Sequence, residues 1–239
     1  QAEIPYYRDA REDIRNDTLT VTLLSALRCL IGNYRAEDVL RLVKTGLLGF
    51  SVHTAAQLEN YVLLWNVQGA AWKRPWTEHP DGLSVRADAA TDRRLAYLNL
   101  LRRRIMRPLL QLEQALGAHP TGTVFARALY EYLIRAHVDR MVRFRVLRLE
   151  AAGEAALAER TDRLWDTVMG LLDRFAAALG SAPGDTAHFT ELLAQAAGVT
   201  DLGTIPQQLD AVQVGAADRM RFSSPRAVLL LGAEEGVFP

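Results

Sequence analysis

Cysteine is nearly absent: Cys29 is the single one in 239 residues. A lone thiol excludes an internal disulfide and a multi-thiolate metal site, and it fits a reducing compartment. Lysine is almost as scarce, with only Lys44 and Lys73 beside 26 arginines. No apolar run approaches the roughly eighteen residues of a membrane span. The first fifteen residues are rich in charge, so no secretory leader is expected, and the expected compartment is the cytoplasm. There is no Gly-x-x-x-x-Gly-Lys-(Ser/Thr) loop to cradle a phosphate. Lys44-Thr45-Gly46 has its letters without the preceding glycines. His53, His79, His119, His137 and His188 never fall at metal-pair spacing. Neither a fixed-period repeat nor a low-complexity stretch is evident.

What is present is helical pattern. Apolar residues make up 49% of the chain, enough for a real core. Leu19, Leu23, Leu27 and Leu30 form one stripe of a helix predicted over residues 18–31, closed by Gly32-Asn33. A second helix is expected over 36–45. A third, capped by Thr54, carries Leu58, Tyr61, Val62 and Trp65 on one face. The longest is expected from Thr91 or Asp92 to Leu116, with Pro108 predicted to kink or split it. Thr123 is the expected cap of the next, with Phe125, Leu129, Leu133 and Ala136 inward, and Asp139 recaps it. Further helices are predicted over 155–179 and from Thr186 to about Gly198.

Formal charge is zero but unevenly spread. Residues 1–91 net −1; residues 92–150 carry 12 basic and 5 acidic groups, a net of +7; residues 151–239 net −6. A basic middle third concentrates polyanions by counterion release. On a helical wheel Arg102, Arg103, Arg104 and Arg107 lie opposite the leucine stripe of the longest helix, and Arg140, Arg143, Arg145 and Arg148 follow on the next segment. They are phosphate-contact candidates; the plainer reading is a solvated face with Glu131, Asp139 and Glu150 nearby. Trp72-Lys73-Arg74-Pro75-Trp76, in an irregular stretch over 69–90, has two readings too. The rings stack on unpaired bases, or they pin the loop to the helices.

The two ends depart from the helical pattern. Ile4–Tyr7 reads as a short extended segment. Val212–Val214 and Ala227–Leu231 are apolar runs around a polar turn, the second followed at once by Gly232. Five continuous apolar residues suit a strand buried on both faces, as in a parallel sheet. Such a strand needs neighbours, and this chain supplies few. A mainly α body bracketed by strand stubs of a larger α/β domain follows, with the two ends expected close together. The first residue, Gln1, points to a piece of a longer chain.

Val-Gln-Val-Gly-x-x-Asp-Arg followed by Ala-Val-Leu-Leu-Leu-Gly-x-x-Glu-Gly-Val-Phe-Pro resembles the segment around motif V of superfamily-one DNA helicases. The motor's threonine, histidine and lysine are replaced in Gly215-Ala-Ala-Asp218-Arg219-Met-Arg221. That degenerate form is similar to the B subunit (AddB/RexB) of AddAB-type ATP-dependent helicase–nucleases. Ile4-Pro5-Tyr6-Tyr7, Glu37 to Leu48, Leu58-Glu59-Asn60-Tyr61-Val62 and Trp72 to Trp76 resemble the same family in order and spacing.

The resemblance implies a 2A strand stub over 1–10, a helical 2B-like insertion over 11–205 and returning 2A strands over 206–239. It implies a bacterial, cytoplasmic parent that processes double-strand DNA ends for recombinational repair, with ATP and Mg and an iron–sulfur cluster held elsewhere in that parent. Its partners would be DNA (double-strand ends, single strands) and an AddA-like helicase–nuclease subunit. For this segment it implies no catalysis, no cofactor and no metal. Its DNA-binding candidates are Arg102, Arg103, Arg104, Arg107, Arg140, Arg143, Trp72, Lys73, Arg74 and Trp76. Its motif V-like residues are Gly215, Asp218, Arg219 and Gly232. Two other readings stay open: a helical adaptor without a DNA role, and a fragment of a UvrD-like motor. Gly215-Ala-Ala-Asp218-Arg219 also resembles a nuclease core, but the next acids, Glu234 and Glu235, lie beyond a strand, and no lysine follows Lys73.

Overall fold

The structure is a computed structural model, and it describes residues 6–9, 13–82, 88–202, 212–215 and 226–232. It divides into two compact units: Asp13–Thr200, and Gln1–Glu12 together with Asp201–Pro239. In the first, every extended regular element among the described residues is a helix.

Helix α1 (Thr18–Ile31) packs against α2 (Ala36–Lys44), α4 (Ala89–Leu116), α7 (Ala155–Leu179) and α8 (Thr186–Val199). It is buried on most of its circumference, not on one stripe: Thr20, Thr22, Ser25 and Ala26 are inside as well as Leu19, Leu23 and Leu27. Small and hydroxyl side chains allow this. Thr22 Oγ1 donates back to the Thr18 carbonyl at 2.7 Å, so its polar atom needs no outside partner. Asn33 and Tyr34, both in the left-handed region (φ +49° and +56°), turn the chain sharply, and the Tyr34 ring is fully buried. Gly69 N–H then donates to the Tyr34 carbonyl at 3.1 Å, tying the stretch after α3 (Val52–Leu64) to this turn.

The second half stacks α5 (Gly122–Arg135) and α6 (Val138–Ala151) on α7. Phe125, Phe175 and Phe189, from α5, α7 and α8, meet with ring centroids 5.3 to 5.7 Å apart. Tilted and edge-on geometry of this kind suits the ring quadrupoles. Ile14 N–H donates to the Thr200 carbonyl at 3.3 Å, so the start and end of this unit meet.

Several local expectations are corrected. The third helix is capped by Ser51, whose hydroxyl accepts from Thr54 N–H at 3.1 Å; Thr54 is already inside. Thr121, not Thr123, caps α5, accepting from Val124 N–H at 3.3 Å. In both places two hydroxyl residues lie within three positions, and the cap is the earlier one. His137, left-handed at φ +59°, precedes α6, and Asp139 sits in its first turn. Gly198 lies within α8. Pro108 does not split α4, which runs 28 residues through it. Ile105, Met106, Leu109 and Leu112 are buried on both sides of the proline, and that packing holds the helix together across one lost backbone bond.

In the other unit β1 (Tyr6–Asp9) pairs in parallel with β2 (Val212–Gly215), Tyr6 opposite Val212. Residues 6–9 and 212–215, far apart in sequence, therefore meet in one ladder. Ala227–Leu231, expected as a buried strand, has neither strand geometry nor cover: Leu229 and Leu231 are each 90% exposed. Among the described residues the sheet consists of β1 and β2, and that run is not part of it. The described residues hold no helix long and apolar enough to cross a membrane.

Candidate nucleic-acid interface

The basic middle third separates, once folded, into cations with local duties and cations without. Arg102 has the deepest duty. It is 5% exposed, donating Nη1–H to the Trp72 carbonyl at 2.8 Å and Nε–H to Asn99 Oδ1 at 3.2 Å. Burial, with the Arg103 charge adding to it, holds this guanidinium below its ordinary value. Asn99 in turn clamps the Trp76 backbone, accepting from its N–H and donating to its carbonyl, both at 2.9 Å. Asn99 and Arg102 lie three apart on one face of α4, and together they hold the loop's backbone.

That loop keeps its rings inside. Trp72 is fully buried and meets Trp76 edge-on at 5.4 Å; Trp76 stacks on Tyr61 at 4.7 Å. The Trp76 indole donates to the Ala71 carbonyl at 3.1 Å, and that of Trp65 to the His79 carbonyl at 2.9 Å. Base stacking by Trp72 and Trp76 is therefore corrected: no ring face is open, and the rings pin the loop. Arg102 is corrected likewise, from the solvated side of α4 to its packed side. A wheel of charges missed this because the loop covers more of α4 than its leucine stripe. Lys73 Nζ pairs with Glu113 at 3.0 Å and lies 4.7 Å from the centre of the Tyr34 ring, whereas Arg74 is exposed.

The other cations sort as follows. Arg94 pairs with Asp81, and Arg127 and Arg135 share Glu131 at 3.0 and 2.9 Å. Arg93 donates to the Ala89 carbonyl at 3.1 Å. Arg104 donates to the Leu48 carbonyl at 2.9 Å and lies 4.8 Å from the centre of the Phe50 ring. That leaves Arg103 and Arg107 on α4 and Arg140, Arg143, Arg145 and Arg148 on α6. All six are exposed, and none has an ion pair among the described residues. The only acids of α6, Asp139 and Glu150, sit at its two ends.

Between α6 and the turn after α2 lies a concavity of about 360 Å³, with Thr45 and Leu47 on one wall and Met141, Phe144, Arg145 and Arg148 on the other. The turn is held from the α4 side by Arg104. At Gly49 (φ +70°) an added Cβ would stand 2.9 Å from Arg104 Nη2 and 3.1 Å from Met141 Sδ. The chain there passes closely between α4 and α6. Phe144, unremarked in the sequence because it falls inside an arginine run, is 53% exposed at this rim.

Of the motif V-like residues, Gly215 ends β2 and Gly232 is exposed with φ +71°; Asp218 and Arg219 lie outside the described residues. Among the described residues no three His, Cys, Asp or Glu side chains gather to hold a metal ion, and Cys29 is buried with its thiol pushed up by burial and the Asp38 charge.

No family model matches the sequence. Among curated proteins it is similar to the B subunit of the ATP-dependent helicase/deoxyribonuclease of Clostridium botulinum strain Loch Maree, 30% identical over 242 residues, which cover 100% of this chain and 21% of that protein. The protein of the same name from Desulfitobacterium hafniense strain DCB-2 is 31% identical over 246 residues, 99% of this chain and 20% of the relative. That of Clostridium acetobutylicum is 28% identical over 243 residues, 99% and 21%. The chain thus spans about a fifth of the length of the curated relatives it matches.

Proposed function

Because the chain is homologous from end to end with one segment of the ATP-dependent helicase/deoxyribonuclease B subunits, we propose that it is the helical insertion of such a protein and works on DNA without chemistry of its own. In this reading residues 13–200 are the 2B-like body, and the β1–β2 ladder is part of a 2A-type sheet completed elsewhere in the polypeptide. Parallel sheets are covered on both faces, and the bare apolar run at Ala227–Leu231 agrees with a sheet that is incomplete here. ATP hydrolysis, strand cleavage and any iron–sulfur cluster belong to other parts of that polypeptide or to an AddA-like partner. The parent's task is ATP-driven processing of double-strand DNA ends for recombination.

The observation that carries a DNA role for this segment is the set of six exposed, unpaired arginines, four of them on α6. Arginines with structural duties have found carboxylates, carbonyls or rings; these have found none among the described residues. Guanidinium groups suit phosphate oxygens through paired donors. Lining a channel with them steers a strand without reading its bases.

A salt series tests this. Binding of DNA to the full chain is expected to weaken linearly on a log–log plot of affinity against salt. Arg140→Gln with Arg143→Gln is expected to weaken binding evenly across sequences and flatten the slope by about one for each phosphate no longer neutralised. Affinity that ignores both salt and these substitutions overturns the reading and favours a protein-binding adaptor.

A further inference from the structure

The concavity beside α6 joins three features, the first two of which phosphate binding alone does not require. It has an apolar floor, since Leu47 is buried and Met141 lies along the wall. It has a half-exposed aromatic ring, Phe144, at its rim. It has two guanidinium groups, Arg145 and Arg148, with no carboxylate partner among the described residues. Phe144 and Arg148 are four apart, hence stacked along one face of α6, while Met141 and Arg145 form the neighbouring row.

An exposed ring beside two exposed guanidinium groups suits a ligand that carries both a flat apolar face and a negative charge. A nucleotide has both, in its base and its phosphate. A duplex does not offer the face, because its bases are stacked inside. An unpaired base does. The wall opposite the ring is not slack. Arg104 holds it through the Leu48 carbonyl and the Phe50 ring, and Gly49 fits with no space for a side chain.

We infer that this pocket takes the base of an unpaired nucleotide, stacked on Phe144, with the neighbouring phosphates on Arg145 and Arg148. Arg104 is a positioning residue for the far wall. The assignment rests on the nucleic-acid reading of α6 and names the strand form that this site accepts: single-stranded.

The test measures anisotropy of labelled oligo(dT) and of an abasic oligomer of equal length on the full chain, over a salt series. The wild type is expected to prefer oligo(dT). Phe144→Ala is expected to lower oligo(dT) affinity on the order of ten-fold, as for loss of one stacked base, with the abasic oligomer unaffected. Phe144→Trp keeps the preference. Arg145→Gln with Arg148→Gln weakens both oligomers and flattens the salt slope by roughly 0.7 for each phosphate no longer neutralised. Equal binding of the two oligomers by the wild type, or equal loss of both in Phe144→Ala, overturns the base pocket while leaving the phosphate reading of α6 standing. An unchanged salt slope in the arginine variants overturns that reading as well. Because Phe144 is exposed, its variants are expected to keep the helical circular dichroism of the parent, and affinities are compared only between proteins that do.

Discussion

Asn99 shows what one side chain does in this protein. Its amide turns the loop over 69–82 from an exposed string of rings into part of the core, by meeting the N–H and the carbonyl of Trp76 at once. Asn99→Ala strands both backbone groups where water does not reach them. Each buried unsatisfied group costs about 1–3 kcal/mol. A loss of about 2–4 kcal/mol is expected, read as a lower denaturant midpoint with unchanged slope, and tryptophan emission shifts red as Trp72 and Trp76 loosen. Tyr61, stacked beneath Trp76, supplies a pH signature. Burial pushes its phenol up to about 12, and burial also raises Tyr34 and Tyr132. A raised folded value means that the neutral phenol is the form the fold prefers. Its stabilisation is complete below the unfolded value near 10 and is lost as pH rises through the folded value. Stability is therefore expected to fall from about pH 10 upward, with Tyr61→Phe reducing that fall.

Helix-to-helix approach is set by a few small residues. At Gly122, the first residue of α5, an added Cβ would stand 2.3 Å from Leu179 Cβ and 3.0 Å from its carbonyl carbon, so backbone must move. Gly122→Ala is expected to destabilise by about 1–3 kcal/mol through overpacking. Gly170, in mid-α7, meets only the end of Arg174 at 3.5 Å. Gly170→Ala is expected to stabilise by about 0.5–1 kcal/mol by restoring helix propensity. Opposite signs for one substitution at two helical glycines, measured by thermal melts, check the α5–α7 packing. Helix spans were readable from sequence because leucines recur at three and four over long stretches, as in α1, α4 and α7. Caps were less readable: a hydroxyl residue near a helix start has no label saying which of two will turn.

The whole molecule is two units of unequal self-sufficiency. Residues 13–200 contain the described aromatic clusters, the buried faces of all eight described helices and the Ile14–Thr200 hydrogen bond that closes them. Expressed by themselves they are expected to give full helical circular dichroism and a cooperative melt within a few degrees of the full chain. A broad, non-cooperative melt would refute that self-sufficiency. The other unit, described at β1, β2 and 226–232, has a two-stranded ladder and a bare apolar run.

Periodicity, composition and order along the chain determined the helical class, the approximate helix spans and the odd β-forming ends, because each depends on neighbours a few residues away. The resemblance to a helicase–nuclease component was legible for the same reason: it rests on linear motifs. Which arginines are free was not legible. Arg102 and Arg103 are adjacent in sequence, yet one is buried against the Trp72 carbonyl and the other is in water. That difference depends on a loop thirty residues away folding over α4, and only the tertiary structure decides which cation it covers.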